Sequence, residues 1–131
     1  MFLLDTNTLI YYFRGQGQVA EKLLATPPAE LAVSTVSLFE LETGLRKSAH
    51  ARARRSQLDA FVRATQVWVF DQASADATAD IRVTLEGKGQ PIGPLDNLIA
   101  GIALAHGATL VTRNLREFSR VPRLAVVDWH G

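Results

Sequence analysis

The chain contains no cysteine. That one absence removes disulfide scaffolds, zinc–cysteine sites, iron–sulfur clusters and thiol nucleophiles together, and it fits a reducing compartment. No apolar run approaches the roughly 18 residues that a membrane span needs. The opening residues, MFLLD, reach the carboxylate of Asp5 without a basic leader. The expectation is a cytoplasmic protein with no membrane partner. Charge of one sign is also lacking: 14 basic residues stand against 13 acidic ones for a net charge of +1, so the overall balance selects no class of partner.

What is present is ordinary globular material, 131 residues with 47% hydrophobic and 21% charged. This is the size of one domain, 1–131, able to bury roughly two-thirds of its unfolded surface without a disulfide or structural metal. Short runs rich in β formers occur at 2–4, 31–33, 67–70, 109–111 and 124–127. Helix-period segments separate them, at about 7–14, 18–26, 37–48, 52–65, 73–88, 95–106 and 115–119. That alternation predicts an α/β fold, a central parallel β-sheet of about five strands flanked by helices on both faces, because near-continuous apolar strands must be covered twice. The punctuation agrees. Pro27 and Pro28 end the second helix, Ser37 and Ser74 are candidate caps, Gly93 and Pro94 open the sixth helix and Gly107 closes it after His106.

Four acids fall just beyond apolar strands or in the first turns of helices. Asp5 follows the first strand and can serve as a ligand or as an N-cap. Glu40 lies on the helix after the second strand, with its neighbour Glu42 pointing well away from it. Asp96 sits in the first turn of an all-apolar helix, where the dipole also favours an anion, and Glu117 follows the fourth strand in a segment that includes Thr112 and Asn114. In an open parallel sheet, ligands bind beyond the carboxyl ends of the strands, where these acids would converge. Carboxylates crowded together without cations repel one another, so a converged set points to bound metal. With oxygen donors alone, the metal expected is Mg²⁺ or Mn²⁺.

Four segments, MFLLDTNT at 1–8, STVSLFELETG at 34–44, GQPIGPLDNLIAG at 89–101 and LVTRNLREF at 110–118, together resemble the PIN-domain ribonucleases, specifically the VapC-type toxins of toxin–antitoxin pairs. The resemblance spans essentially the whole chain. It implies that Asp5, Glu40 and Asp96 are the core metal-binding acids, with Glu117 the fourth, and that Thr6, Asn7, Thr112 and Asn114 order these acids or water. Many relatives carry an acid where this chain has Asn114. The fourth carboxylate must then come from Glu117 one turn later or be absent, which leaves one or two metals open.

The implied reaction is metal-dependent hydrolysis of RNA, transfer RNA being the closest substrate class, with 5′-phosphate and 3′-hydroxyl ends. An anionic pocket needs nearby cations to hold RNA, and ten of the 14 cations lie in two patches, 46–63 and 113–123. Arg46, Lys47 and Arg113 are the candidates, against the plainer reading of a solvated helix face. The implied partners are a second copy of the chain, forming a homodimer, and a small antitoxin whose carboxyl-terminal segment covers the acids, the two together forming a higher hetero-oligomer. An arginine would enter the acidic pocket, and an amphipathic part would pack around Tyr11, Tyr12, Phe13 and Phe39.

Rival classes fit less well. A phospho-acceptor receiver domain needs an acidic pair after the first strand, and Thr6 follows Asp5; an Asp-x-Asp phosphatase fails at Asn7. His50, His106 and His130 form no acid–base couple in the sequence, which counts against a metal-independent nuclease. A PIN-like module that grips RNA or protein without cutting remains the alternative, motivated by Asn114.

Overall fold

The computed structural model describes residues 1–131. In chain order the elements are β1 (Phe2–Leu4), α1 (Thr6–Phe13), α2 (Val19–Leu24), β2 (Leu31–Ser34), α3 (Thr35–Lys47), α4 (Ala51–Ala64), β3 (Gln66–Trp68), α5 (Gln72–Gly87), α6 (Pro94–Ala105), β4 (Thr109–Val111), α7 (Leu115–Phe118) and β5 (Ala125–Val127). The strands form one sheet in the order β3-β2-β1-β4-β5, and every pairing is parallel. The α/β fold with helices on both faces is therefore as the alternation of apolar runs predicts.

Register explains how three-residue strands build two cores. Leu3 pairs with Ala32 and Leu110, and these point to one face; Leu4 pairs with Val33 and Val111, and these point to the other. The first set packs with Ile81 and Leu85 of α5 and with Ile99, Ile102 and Ala103 of α6. The second packs with Leu9 of α1, Leu41 and Leu45 of α3 and Phe61 of α4. Alternate residues of β1 thus enter opposite cores, which is why the central strands read as continuous apolar runs rather than as alternation.

The termini of several elements differ from the sequence reading for identifiable reasons. The cap of α3 is Ser34, whose Oγ accepts from the Ser37 N–H at 3.0 Å, and not Ser37. The cap of α5 is Asp71, whose carboxylate accepts from the Ser74 N–H at 2.9 Å and from its hydroxyl at 2.8 Å, and not Ser74. Both expected caps are instead the third helical residue that donates to the true one. Val69 and Phe70, expected in β3, leave the sheet at the exposed edge. Pro28–Glu30 adds a 3₁₀ turn before β2, proline occupying its first position. His106 does end α6, and its ring stacks flat on Trp68 with centroids 3.8 Å apart. No helix is long and apolar enough to cross a membrane.

One close approach sets the helix layer over the first core. A Cβ on Gly101 of α6 would meet the Ser74 carbonyl at 2.9 Å and the Thr78 Cβ at 3.0 Å, so glycine lets α5 and α6 pack backbone to backbone. Thr78 Oγ1 donates to the Asn97 carbonyl at 3.4 Å across the same contact. That packing fixes where the first turn of α6, and hence Asp96, meets the sheet.

Candidate active site

The chain leaves β1 toward β2 and β3 on one side and returns to β4 and β5 on the other. The carboxyl ends of β1, β2 and β4 therefore flank a topological switch point, where an open parallel sheet leaves a crevice. Asp5 stands at the end of β1. Its N–H donates to the Val111 carbonyl at 3.1 Å, and its Oδ1 caps α1 by accepting from the Thr8 N–H at 2.8 Å. Thr8 Oγ1 in turn donates to Val111 O at 3.1 Å. The two readings open in the sequence, capping residue and site acid, are thus compatible in one side chain. Burial pushes the Asp5 carboxyl up; the hydroxyls of Thr112 and Thr8 and the Thr8 N–H pull it back, and the charge of Glu40 raises it further.

Glu40 projects from the second turn of α3. Thr6 Oγ1 donates to its Oε1 at 2.6 Å and lies 2.9 Å from Ser37 Oγ, which ties the start of α1 to α3. Ser37 is a contact the sequence reading missed as a site residue. Its signal is the i, i+3 spacing to Glu40 on one helical face.

Asp96, half-buried at the start of α6, has its carboxyl raised to about 6, first by desolvation and then by the charges of Glu117, Asp5 and Glu40. The charges of the other three expected acids thus all reach Asp96. None of them forms a salt bridge with a lysine, arginine or histidine; the four ion pairs of the protein use Glu42, Asp59 and Glu86 instead.

Among the supporting residues, Thr112 is fully buried, faces Asp5 and accepts the Asn114 N–H at 3.0 Å. Asn114 begins α7 without using its side chain as a cap, and Asn7 is exposed on α1 with no side-chain hydrogen bond to the acids. Glu42 points away from Glu40, as the helical phase requires. It bridges Arg46 of α3 and Arg55 of α4 at 2.6 Å each, and these guanidinium groups hold its carboxyl down at about 2. Of the three expected RNA-holding cations, Arg46 is thereby neutralised, Lys47 is exposed, and Arg113 stands beside Thr112.

An oxygen-only donor set with uncompensated negative charge suits a hard divalent cation. No three acids already close into a ligand cage.

The PIN-domain profile matches residues 2–124. The chain belongs to the PIN-domain family. Its similarity to curated members runs nearly end to end: it is 34% identical over 128 residues to the tRNA(fMet)-specific endonuclease VapC of Salmonella typhimurium, covering 98% of this chain and 97% of that protein. It is 33% identical over 137 residues to ribonuclease VapC2 of Rickettsia felis, at 98% of each. Among solved structures, VapBC2 from Rickettsia felis bound to a promoter DNA fragment has a TM-score of 0.90 at 33% identity, covering 98% of both chains. DNA-bound VapBC from Salmonella typhimurium has a TM-score of 0.90 at 35% identity, covering 98% of this chain and 97% of that one.

Proposed function

We propose that this single PIN domain is a metal-dependent endoribonuclease and the toxin of a toxin–antitoxin pair, with transfer RNA as its substrate class. The observation that carries the reading is the set of carboxylates around Asp96, whose carboxyl is raised to about 6 first by desolvation and then by the charges of Glu117, Asp5 and Glu40, while none of the four acids forms an ion pair with a cation of the protein. When bound, Mg²⁺ or Mn²⁺ would supply charge to offset the negative charge developing on the phosphoryl oxygens and would lower the pKa of the attacking water.

The protein's own residues do the positioning. Asp5 is fixed by its cap to α1, Glu40 by the Thr6 hydroxyl, and Asp96 by the close α5–α6 packing, so three carboxylates from separate elements would hold the cation. Glu117, on α7, is the fourth, and of the neighbouring charges it acts most strongly on Asp96. Arg113 and Lys47 would meet RNA phosphates.

The antitoxin reading is supported by a groove of about 160 Å³ that leads from Glu40 between α1, α3 and α4, with an apolar lining of Ile10, Phe13, Leu41, Leu45 and Leu58 and with Arg14 and Arg54 also on its wall. It changes one expectation. Tyr12 and Phe13 pack on Phe61, and Tyr11 packs on His130, so of the four aromatic residues only Phe39 is widely exposed. An amphipathic antitoxin segment would thus use the groove, with its basic end toward Glu40.

The test is cleavage of total transfer RNA by the purified chain in chelator, Mg²⁺ and Mn²⁺, with analysis of the product ends. Metal-dependent cutting that leaves 5′-phosphates is expected. Cyclic 2′,3′-phosphate ends formed in chelator would overturn the metal–water reaction, and equal RNA binding with no cutting under any condition would favour a silent binding module.

A further inference from the structure

Residues 128–130 are anchored by contacts of several kinds. Trp129 is buried against Phe2, with ring centroids 5.1 Å apart. The His130 N–H donates to Asp128 Oδ1 at 2.8 Å, and its carbonyl accepts from the Gln18 N–H at 2.7 Å. Gly17, at φ +63°, leaves room for the ring: a Cβ there would stand 2.8 Å from His130 Cγ and Nδ1. The imidazole is therefore a seated group in the turn after α1, not a loose end.

From that seat the ring meets two side chains. Tyr11 of α1 packs edge-on, with centroids 4.8 Å apart at 76°. Arg113 Nη1 lies 3.2 Å from His130 Nε2, and the Arg113 guanidinium carbon is 5.6 Å from the Tyr11 ring centre. A guanidinium has only donors, so this contact needs a lone pair on Nε2, with the ring neutral and its proton on Nδ1. Arg113 is thus held by a neutral acceptor and an aromatic face, and its charge is not cancelled. Arg46, Arg55 and Arg82, by contrast, are each spent on a carboxylate. Arg113 also lies between Thr112, which faces Asp5, and the helix that carries Glu117.

We propose that His130 is a positioning residue that, with Tyr11, holds the Arg113 guanidinium at the rim of the acidic site to receive a substrate phosphate. This rests on the ribonuclease reading, and the experiment separates the two. Binding of labelled total transfer RNA in chelator is measured against salt for the wild-type chain, Arg113→Ala, His130→Ala, His130→Gln and the Arg113→Ala/His130→Ala double variant; KM and kcat are measured with metal.

Losing one phosphate contact lowers the slope of log affinity against log salt by about 1. Arg113→Ala should show that loss with a KM about tenfold higher. His130→Ala should show most of both effects, the double variant should add nothing further, and kcat should stay within about twofold. His130→Gln, whose amide oxygen can accept from Arg113, should recover most of the affinity. The backbone bond to Gln18 survives these side-chain changes, so the tail keeps its seat. An unchanged slope and KM in His130→Ala, or additive effects in the double variant, would overturn the proposal. The predicted slope changes without any cleavage would sink the ribonuclease reading and leave the contact standing; no RNA binding at all would sink both.

Discussion

Replacing Asp96 with asparagine separates the charge of the site from its shape. In the metal-free protein the Asp96 carboxyl stands at about 6 because it is desolvated and faces Glu117, Asp5 and Glu40. An unfolded chain would release that proton near the ordinary aspartate value of about 3.9. Between those two values the native state holds a proton that the unfolded state does not. The stability due to protonated Asp96 is therefore fully present below about pH 4, falls as pH rises, and is gone above about pH 6. The full difference corresponds to at most about 3 kcal/mol, and because Asp96 is only half-buried, solvent screening reduces it to about 1–1.5 kcal/mol.

Asparagine has the shape of the acid without the charge. Asp96→Asn should match the wild-type chain near pH 4 and exceed it above pH 7 by about 1–1.5 kcal/mol, or about 3–5 °C in Tm for a domain of this size. Thermal melts in chelator at several pH values read this directly. Added Mn²⁺ should raise the wild-type Tm and leave the variant unmoved, since only a protein that binds the ion gains stability from it. RNA cleavage by the variant should fall at least about a hundredfold. An Asp96→Asn chain less stable than wild type above pH 7, or one that still cuts RNA, would refute the reasoning that this carboxylate is kept for a cation at a cost in stability.

Other changes test neighbouring parts of the argument. Asp5→Asn keeps an oxygen that can cap α1, so it should abolish cleavage with the fold intact, whereas Asp5→Ala should also lose about 1 kcal/mol of stability in urea unfolding. Glu42→Gln should leave cleavage nearly unchanged, because Glu42 faces Arg46 and Arg55 rather than the acids. Strong inactivation would show that the arm of α3 and α4 is coupled to the site. Gly101→Ala should destabilise the protein by about 1–3 kcal/mol by calorimetry, despite alanine's better helix propensity, since the new Cβ meets Ser74 and Thr78.

How much of this was legible beforehand follows from the range of each interaction. Strand positions, the helix order and the parallel sheet are consequences of local periodicity, and once crossovers are short and right-handed, acids that follow strands must fall at one edge of the sheet. Asp5, Glu40 and Glu117 could be named on that ground, Asp96 by its place in the first turn of an apolar helix, and the phase of a single helix separates Glu40 from Glu42. Cap residues were misread by three positions, because a serine that donates at the third helical position looks in sequence like a serine that accepts.

Tertiary structure alone decided the contacts between elements distant in sequence. Thr6 meets Glu40 and Ser37 across more than thirty residues, and Thr112 comes to face Asp5 through the pairing of β1 with β4. Arg46 turned out to be neutralised by Glu42, while Arg113 is held uncancelled by His130, although both read in sequence as members of similar basic patches. Periodicity states which face of its own element a residue occupies; which partner stands opposite depends on strand order and helix packing, and these are properties of the whole chain.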